Sequence, residues 1–167
     1  MKRTAFAAIV TVLLAGICLA ENPITKPLFY IQRNKNANVV HYDAQLNGDG
    51  TLYRKQPVIA YWVLLAVDGR REDLNLIERT KAYGFDIEPD SSGKFYRMTL
   101  AAYKREIKVY TQGDNVKGEM VIGGKPAYLE KVSITSKEGL VLPTVLSIEL
   151  FGTDVSTGEK RSEKIVP

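Results

Sequence analysis

The chain has 167 residues, with 23 Lys or Arg against 19 Asp or Glu, a formal charge of +4, one His and one Cys. That length suits one domain with its own core, and a lone cysteine excludes a disulfide framework within the chain. The basic residues are scattered and form no stripe that would track a nucleic-acid backbone, and one His with one Cys leaves too few ligands for a His/Cys zinc centre.

The chain opens Met1-Lys2-Arg3, runs apolar from Ala5 to Ala15, and reaches Cys18-Leu19-Ala20 just before the polar Glu21-Asn22-Pro23. A positive start, a short apolar run and a small-x-small site describe a signal peptide over residues 1–20, and the run is shorter than a membrane span of about 20 residues. Ala15-Gly16-Ile17-Cys18 also invites a lipoprotein reading, but Ile17 is large for the position before an acylated cysteine. Cleavage after Ala20 is therefore expected, leaving one β domain over residues 21–167, periplasmic or secreted, with no transmembrane span. It would also remove Cys18, Lys2 and Arg3, so part of the positive charge belongs to the leader.

Beyond Pro27, Leu28–Arg33 and Val39–Asp43 have the β-branched and aromatic content of strands, separated by an Asn34–Asn38 turn. Asn47-Gly48-Asp49-Gly50 is a second turn. The stretch Pro57-Val-Ile-Ala-Tyr-Trp-Val-Leu-Leu-Ala66 is apolar on both alternating faces, which predicts a central strand around Trp62 that ends at Asp68-Gly69. A short helix is predicted over about 73–83, capped by Asp73 or by Asn75 with Glu78, closed by Gly84 in a left-handed conformation, and docked through Leu74 and Ile77. Seven further strands follow between Phe85 and Val166, with Gly123-Gly124 and Thr157-Gly158 as hairpin turns. The expected fold is mainly β, a single-domain antiparallel barrel or sandwich of about ten short strands with one helix.

These segments resemble a bacterial family of exported or membrane-associated proteins known only as domain of unknown function 4833. The likeness rests on Leu28–Asp43, on Pro57 through Tyr61-Trp62-Val63, on Lys81-Ala-Tyr-Gly-Phe85, and on Ile148–Asp154 with Gly158-Glu159. It implies one domain from near Pro23 to Pro167 and brings no activity and no site residues.

Several groups could carry chemistry. Asp43-x-Gln45-x-Asn47-Gly48 resembles half a calcium loop, but Arg54 stands where a bidentate glutamate belongs, and a hairpin turn explains the same residues. His41 and Asp43 share a strand face as a base and its partner would, with no nucleophile elbow to complete a triad. Arg33, Lys35, Asn36, Asn38, His41 and Asp43 make a polar surface suited to an anion or a sugar, although turn chemistry accounts for the asparagines. Tyr61, Trp62, Tyr30, Phe95 and Tyr110 could line an apolar pocket, or fill a β core with their polar tips satisfied. Glu78 and Lys81, three apart, suit a surface ion pair near Tyr83.

The expectation is a non-enzymatic exported domain that binds a small apolar or amphipathic ligand, or a cell-envelope component, without cofactor, metal or nucleic acid. An envelope hydrolase using Asp43 or Glu78, and a structural or assembly module without a pocket, are the alternatives. The first needs an apolar cavity near Trp62, the second two converging carboxylates, and the third an exposed apolar patch.

Overall fold

Alternating apolar and polar residues, cut by Gly, Asn and Asp at the turns, give eleven strands among the described residues. In chain order they are β1 (Ile24–Arg33), β2 (Val39–Leu46), β3 (Val58–Val63), β4 (Arg71–Asp73), β5 (Phe85–Pro89), β6 (Tyr96–Leu100), β7 (Tyr103–Gln112), β8 (Asn115–Ile122), β9 (Lys125–Lys137), β10 (Thr144–Asp154) and β11 (Lys160–Ile165). The computed structural model describes residues 22–34, 36–137 and 144–167. The expected leader and Cys18 lie outside them, as does Lys35.

All eleven strands belong to one sheet, ordered β4-β3-β2-β1-β9-β8-β7-β6-β5 along its main path. Strand β9 is the seam. Its first residues pair with β8, Tyr30–Arg33 of β1 run parallel to Lys131–Ile134 of β9, and β10 pairs along nearly all of β9. Because the β10 register overlaps both other partners, β8 and β1 must share one edge of β9 while β10 and β11 extend the other. The sheet curls into a half-barrel, and its two arms close over one core. In that core Tyr42 stacks on Phe29 at 4.5 Å, meets Phe85 edge-on at 6.0 Å, and donates its buried hydroxyl to the Tyr83 carbonyl at 2.7 Å.

The fold is the expected mainly-β domain, and several local expectations need correction. Strand β3 is not central: it lies one place in from the β4 edge, and Trp62 is half-buried. The strand buried on both faces is β2, with Val39, Val40, Tyr42, Asp43, Ala44 and Leu46 all buried. The apolar run misled because Leu64, Leu65 and Ala66 belong to a turn, in which Leu65 is 57% exposed.

The predicted helix contracts to Leu76–Ala82, most of it a π-type turn over Glu78–Ala82, and Arg71–Asp73 are a strand instead. The capping box does form: Asn75 Oδ1 accepts the Glu78 N–H at 3.0 Å, and Glu78 Oε2 accepts the Asn75 N–H at 2.9 Å. Leu74 is buried while Ile77 is 65% exposed, so docking goes through Leu74 and Tyr83. Gly84 has no positive φ, and glycine is needed there because a Cβ would overlap the Arg79 carbonyl oxygen. Gly123 and Gly124, at φ 58° and 77°, form the expected two-residue hairpin between Ile122 and Lys125.

Candidate functional site

The sheet's open side carries a cleft of about 510 Å³ between its two ends. Val58, Ile59, Ala60 and Tyr61 line one wall, Tyr83, Gly84 and Phe85 the other, with Arg71, Asp73, Leu74 and Arg79 across the rim. Side chains alternate between faces along a strand. Four consecutive residues of β3 can border one cleft only if it runs along the strand's edge rather than over a face.

Beside it lies a stacked row on the outer face of β1 to β4. The His41 ring sits between Tyr30 at 5.8 Å and Tyr61 at 6.0 Å, each 19° from parallel. The Arg71 guanidinium caps the row, 4.2 Å from the Tyr61 ring centre. Asp43 is buried beneath it. Its Oδ2 accepts the Tyr61 hydroxyl at 2.5 Å, with Arg71 at 3.7 Å, while His41 Nδ1 lies 4.0 Å from Oδ1. Among the described residues Oδ1 has no hydrogen-bond partner. Burial, reinforced by the Asp43 carboxylate, pushes the Tyr61 phenol well above its usual range. Burial also lowers His41, outweighing the opposite pull of Asp43, and Arg71 lowers it further.

The cations at the rim are only loosely engaged. Arg71 stands 3.7 Å from Asp43 and Arg79 stands 3.9 Å from Asp73, both beyond hydrogen-bond reach. Each arginine side chain is more than half exposed. The same cleft is lined by the half-buried apolar residues Ile59, Ala60 and Phe85, with Val58 and Leu74 buried.

The structure brings together Tyr30, His41, Asp43 and Tyr61, and it separates the rest of the expected pocket. Trp62 points the other way from Tyr61, packs edge-on against Tyr83 at 5.2 Å, and donates its indole N–H to Glu78 at 3.1 Å. It walls a second, polar cleft of about 270 Å³ with Asn36, Asn38, Glu72, Asp73 and Asn75. Phe95 and Tyr110 lie on the other arm, the first near Lys108, the second donating its hydroxyl to Glu119 at 2.7 Å. Arg33 donates to Ser136 at 2.8 Å, and Asn36 and Asn38 do the work of a turn, Asn38 accepting the Ala66 N–H at 2.9 Å.

Asp43 and Gln45 stand on β2 rather than in a calcium loop, and only Asn47 to Gly50 form the turn. Asp43 and Glu78 do not converge as an acid–base pair: one is tied to Tyr61 and the other to Trp62, on opposite faces of β3. Among the described residues no three His, Cys, Asp or Glu gather as a metal cluster, and no helix is long and apolar enough to cross a membrane. Sequence reasoning missed Arg71, Arg79 and Phe85. The signal for the first was present, because Arg70-Arg-Glu-Asp73 just after Asp68-Gly69 reads as a charged edge strand returning from a hairpin.

What the fold and cleft define is a small mainly-β domain whose one sheet stays open along one side. The chain belongs to the family described as Domain of unknown function (DUF4833), whose model matches residues 29–164. No curated protein and no solved structure matches it.

Proposed function

We propose that this domain is exported and binds, in its cleft, a ligand with an apolar body and an anionic group, drawn from the cell envelope. The observation that carries this is the pairing of two loosely engaged guanidiniums with half-buried apolar side chains in one concavity. Its volume falls within the range of about 300–1,000 Å³ typical of small-ligand sites. Charge-assisted bonds from Arg71 and Arg79 fix the anionic end, and the half-buried Ile59, Ala60 and Phe85 desolvate the body.

The test uses 1-anilinonaphthalene-8-sulfonate, an aromatic sulfonate of that chemistry. Its fluorescence should report one saturable site that weakens with salt and loses about ten-fold or more in affinity in the Arg71→Ala/Arg79→Ala variant. Binding that is absent, or indifferent to both arginines, would overturn the proposal. The export component has its own check, because protein recovered from the native host should have the mass of a chain beginning at Glu21; a lipid-bearing Cys18 would instead make it a lipoprotein.

A further inference from the structure

The second cleft, walled by Trp62, carries polar groups of a different kind, and its hydrogen bonds settle how they are presented. An amide side chain has one acceptor end and one donor end. In the three asparagines that line this cleft the acceptor end is committed to a backbone N–H: Asn36 Oδ1 accepts from Asn38 at 3.0 Å, Asn38 Oδ1 from Ala66 at 2.9 Å, and Asn75 Oδ1 from Glu78 at 3.0 Å. The bonds that shape the turns therefore fix all three amides. Among the described residues their Nδ2 groups donate to no protein acceptor.

An acceptor and an aromatic ring stand beside these donors. Glu72 lies directly opposite Trp62 across β3 and β4, so the carboxylate and the indole share one face of the sheet. Glu72 is exposed and has no cation beside it among the described residues. The indole is held before any ligand arrives, its N–H on Glu78 at 3.1 Å and Tyr83 packed edge-on against it at 5.2 Å. Trp62 and Leu64, both half-buried, supply the apolar part of the wall.

A ligand that answers all of these groups must accept from amides, donate to a carboxylate and offer an apolar face to an indole. Hydroxyl groups both accept and donate, and the C–H face of a sugar ring is apolar. A simple cation would leave the amide donors unanswered. An anionic sugar would meet Glu72, Asp73 and Glu78 with no Lys or Arg among the lining residues to offset them. At about 270 Å³ the cleft is small for a drug-sized molecule and suits a single ring.

We propose that this second cleft binds one ring of a neutral sugar, its C–H face against Trp62 and Leu64 and its hydroxyls between the asparagine amides and the Glu72 carboxylate. The site is distinct from the arginine-rimmed cleft, with which it shares only Asp73.

Trp62 is the sole tryptophan, so its emission reports on the site directly. The purified full chain is titrated with the methyl glycosides of glucose, galactose, mannose and N-acetylglucosamine, with mannitol as a ring-less polyol and tetramethylammonium chloride as a cation. At least one glycoside should give a saturable change in emission at millimolar concentration, and mannitol and the cation should give none. Asn38→Asp and Asn75→Asp each keep an oxygen for the backbone N–H but turn the free donor into an acceptor. Both should retain the far-UV spectrum and weaken the glycoside about ten-fold or more, as should Glu72→Ala on the exposed edge strand. Silence toward all four glycosides, in emission and in saturation-transfer NMR, would overturn the proposal. So would a response to mannitol equal to that of the glycosides, a response to the cation alone, or glycoside binding that survives all three substitutions. The two clefts stand or fall separately: a glycoside response in a protein that fails the dye test leaves this site in place, and dye binding without a glycoside response removes this site alone.

Discussion

Asp43 shows how one residue ties the outer face to the core. Strand β2 buries it, Tyr61 answers one oxygen, and the price in desolvation is met mainly by that single short bond. His41 above it has a depressed folded-state pKa, caused first by burial. An unfolded chain therefore binds more protons than the folded one just below the free imidazole value of about 6.5. The contribution of His41 to stability is complete above that value and is lost as pH falls through the depressed folded pKa. Because His41 is the only histidine, the urea midpoint should fall between about pH 7.5 and pH 5.5, and His41→Phe should flatten the slope. A wild-type midpoint that rises on acidification across this window would refute the assignment. Trp62 is half-buried, so Trp62→Ala should cost on the order of 2–3 kcal/mol, below the 3–5 expected of a fully buried aromatic ring. Denaturant titration of the variant checks this, and an unchanged midpoint would contradict the Trp62–Tyr83–Glu78 packing.

At the scale of elements, the segment from Arg70 to Phe85 decides the shape of the cleft. Glycine at 84 lets the π-type turn close against β5, so Gly84→Ala should destabilise by on the order of 2–4 kcal/mol, with Gly84→Val worse. A Gly84→Ala variant as stable as the parent would mean that the turn relaxes freely. Much of this segment was legible in the sequence: the Asn75/Glu78 capping box formed as its spacing demanded. Its helical length was not, because Leu76 and Ile77 are exposed and docking goes through Leu74 and Tyr83, a tertiary outcome that periodicity does not encode. The short β4 also escaped: charge after the Asp68-Gly69 turn was its one signal, and three charged residues lack the apolar alternation that marks most strands. The hairpin at Gly123-Gly124 lay at the other extreme, where two positive-φ positions leave few alternatives to glycine.

The whole molecule is held together less evenly than its single sheet suggests. The number and spacing of strands could be read from turn chemistry, but the pairing of β1 with β9 could not, because a parallel match between distant segments leaves no local trace. For the same reason the His41 row was only half visible: His41 and Asp43 share a strand, whereas Tyr30, Tyr61 and Arg71 arrive from three others. The parallel match also governs the order of assembly. Strands β1 to β4 can zip by neighbouring turns, yet β1 waits for a seam about a hundred residues later before it gains its second neighbour. That late closure makes a long loop before any contact rewards it, so it should be the slow step of folding. In the finished protein the same junction is the natural place for partial opening. Amides of β2 and β3 should share one exchange free energy, lower than that of β9 and β10, so that the N-terminal third breathes as a unit while the remaining strands stay closed.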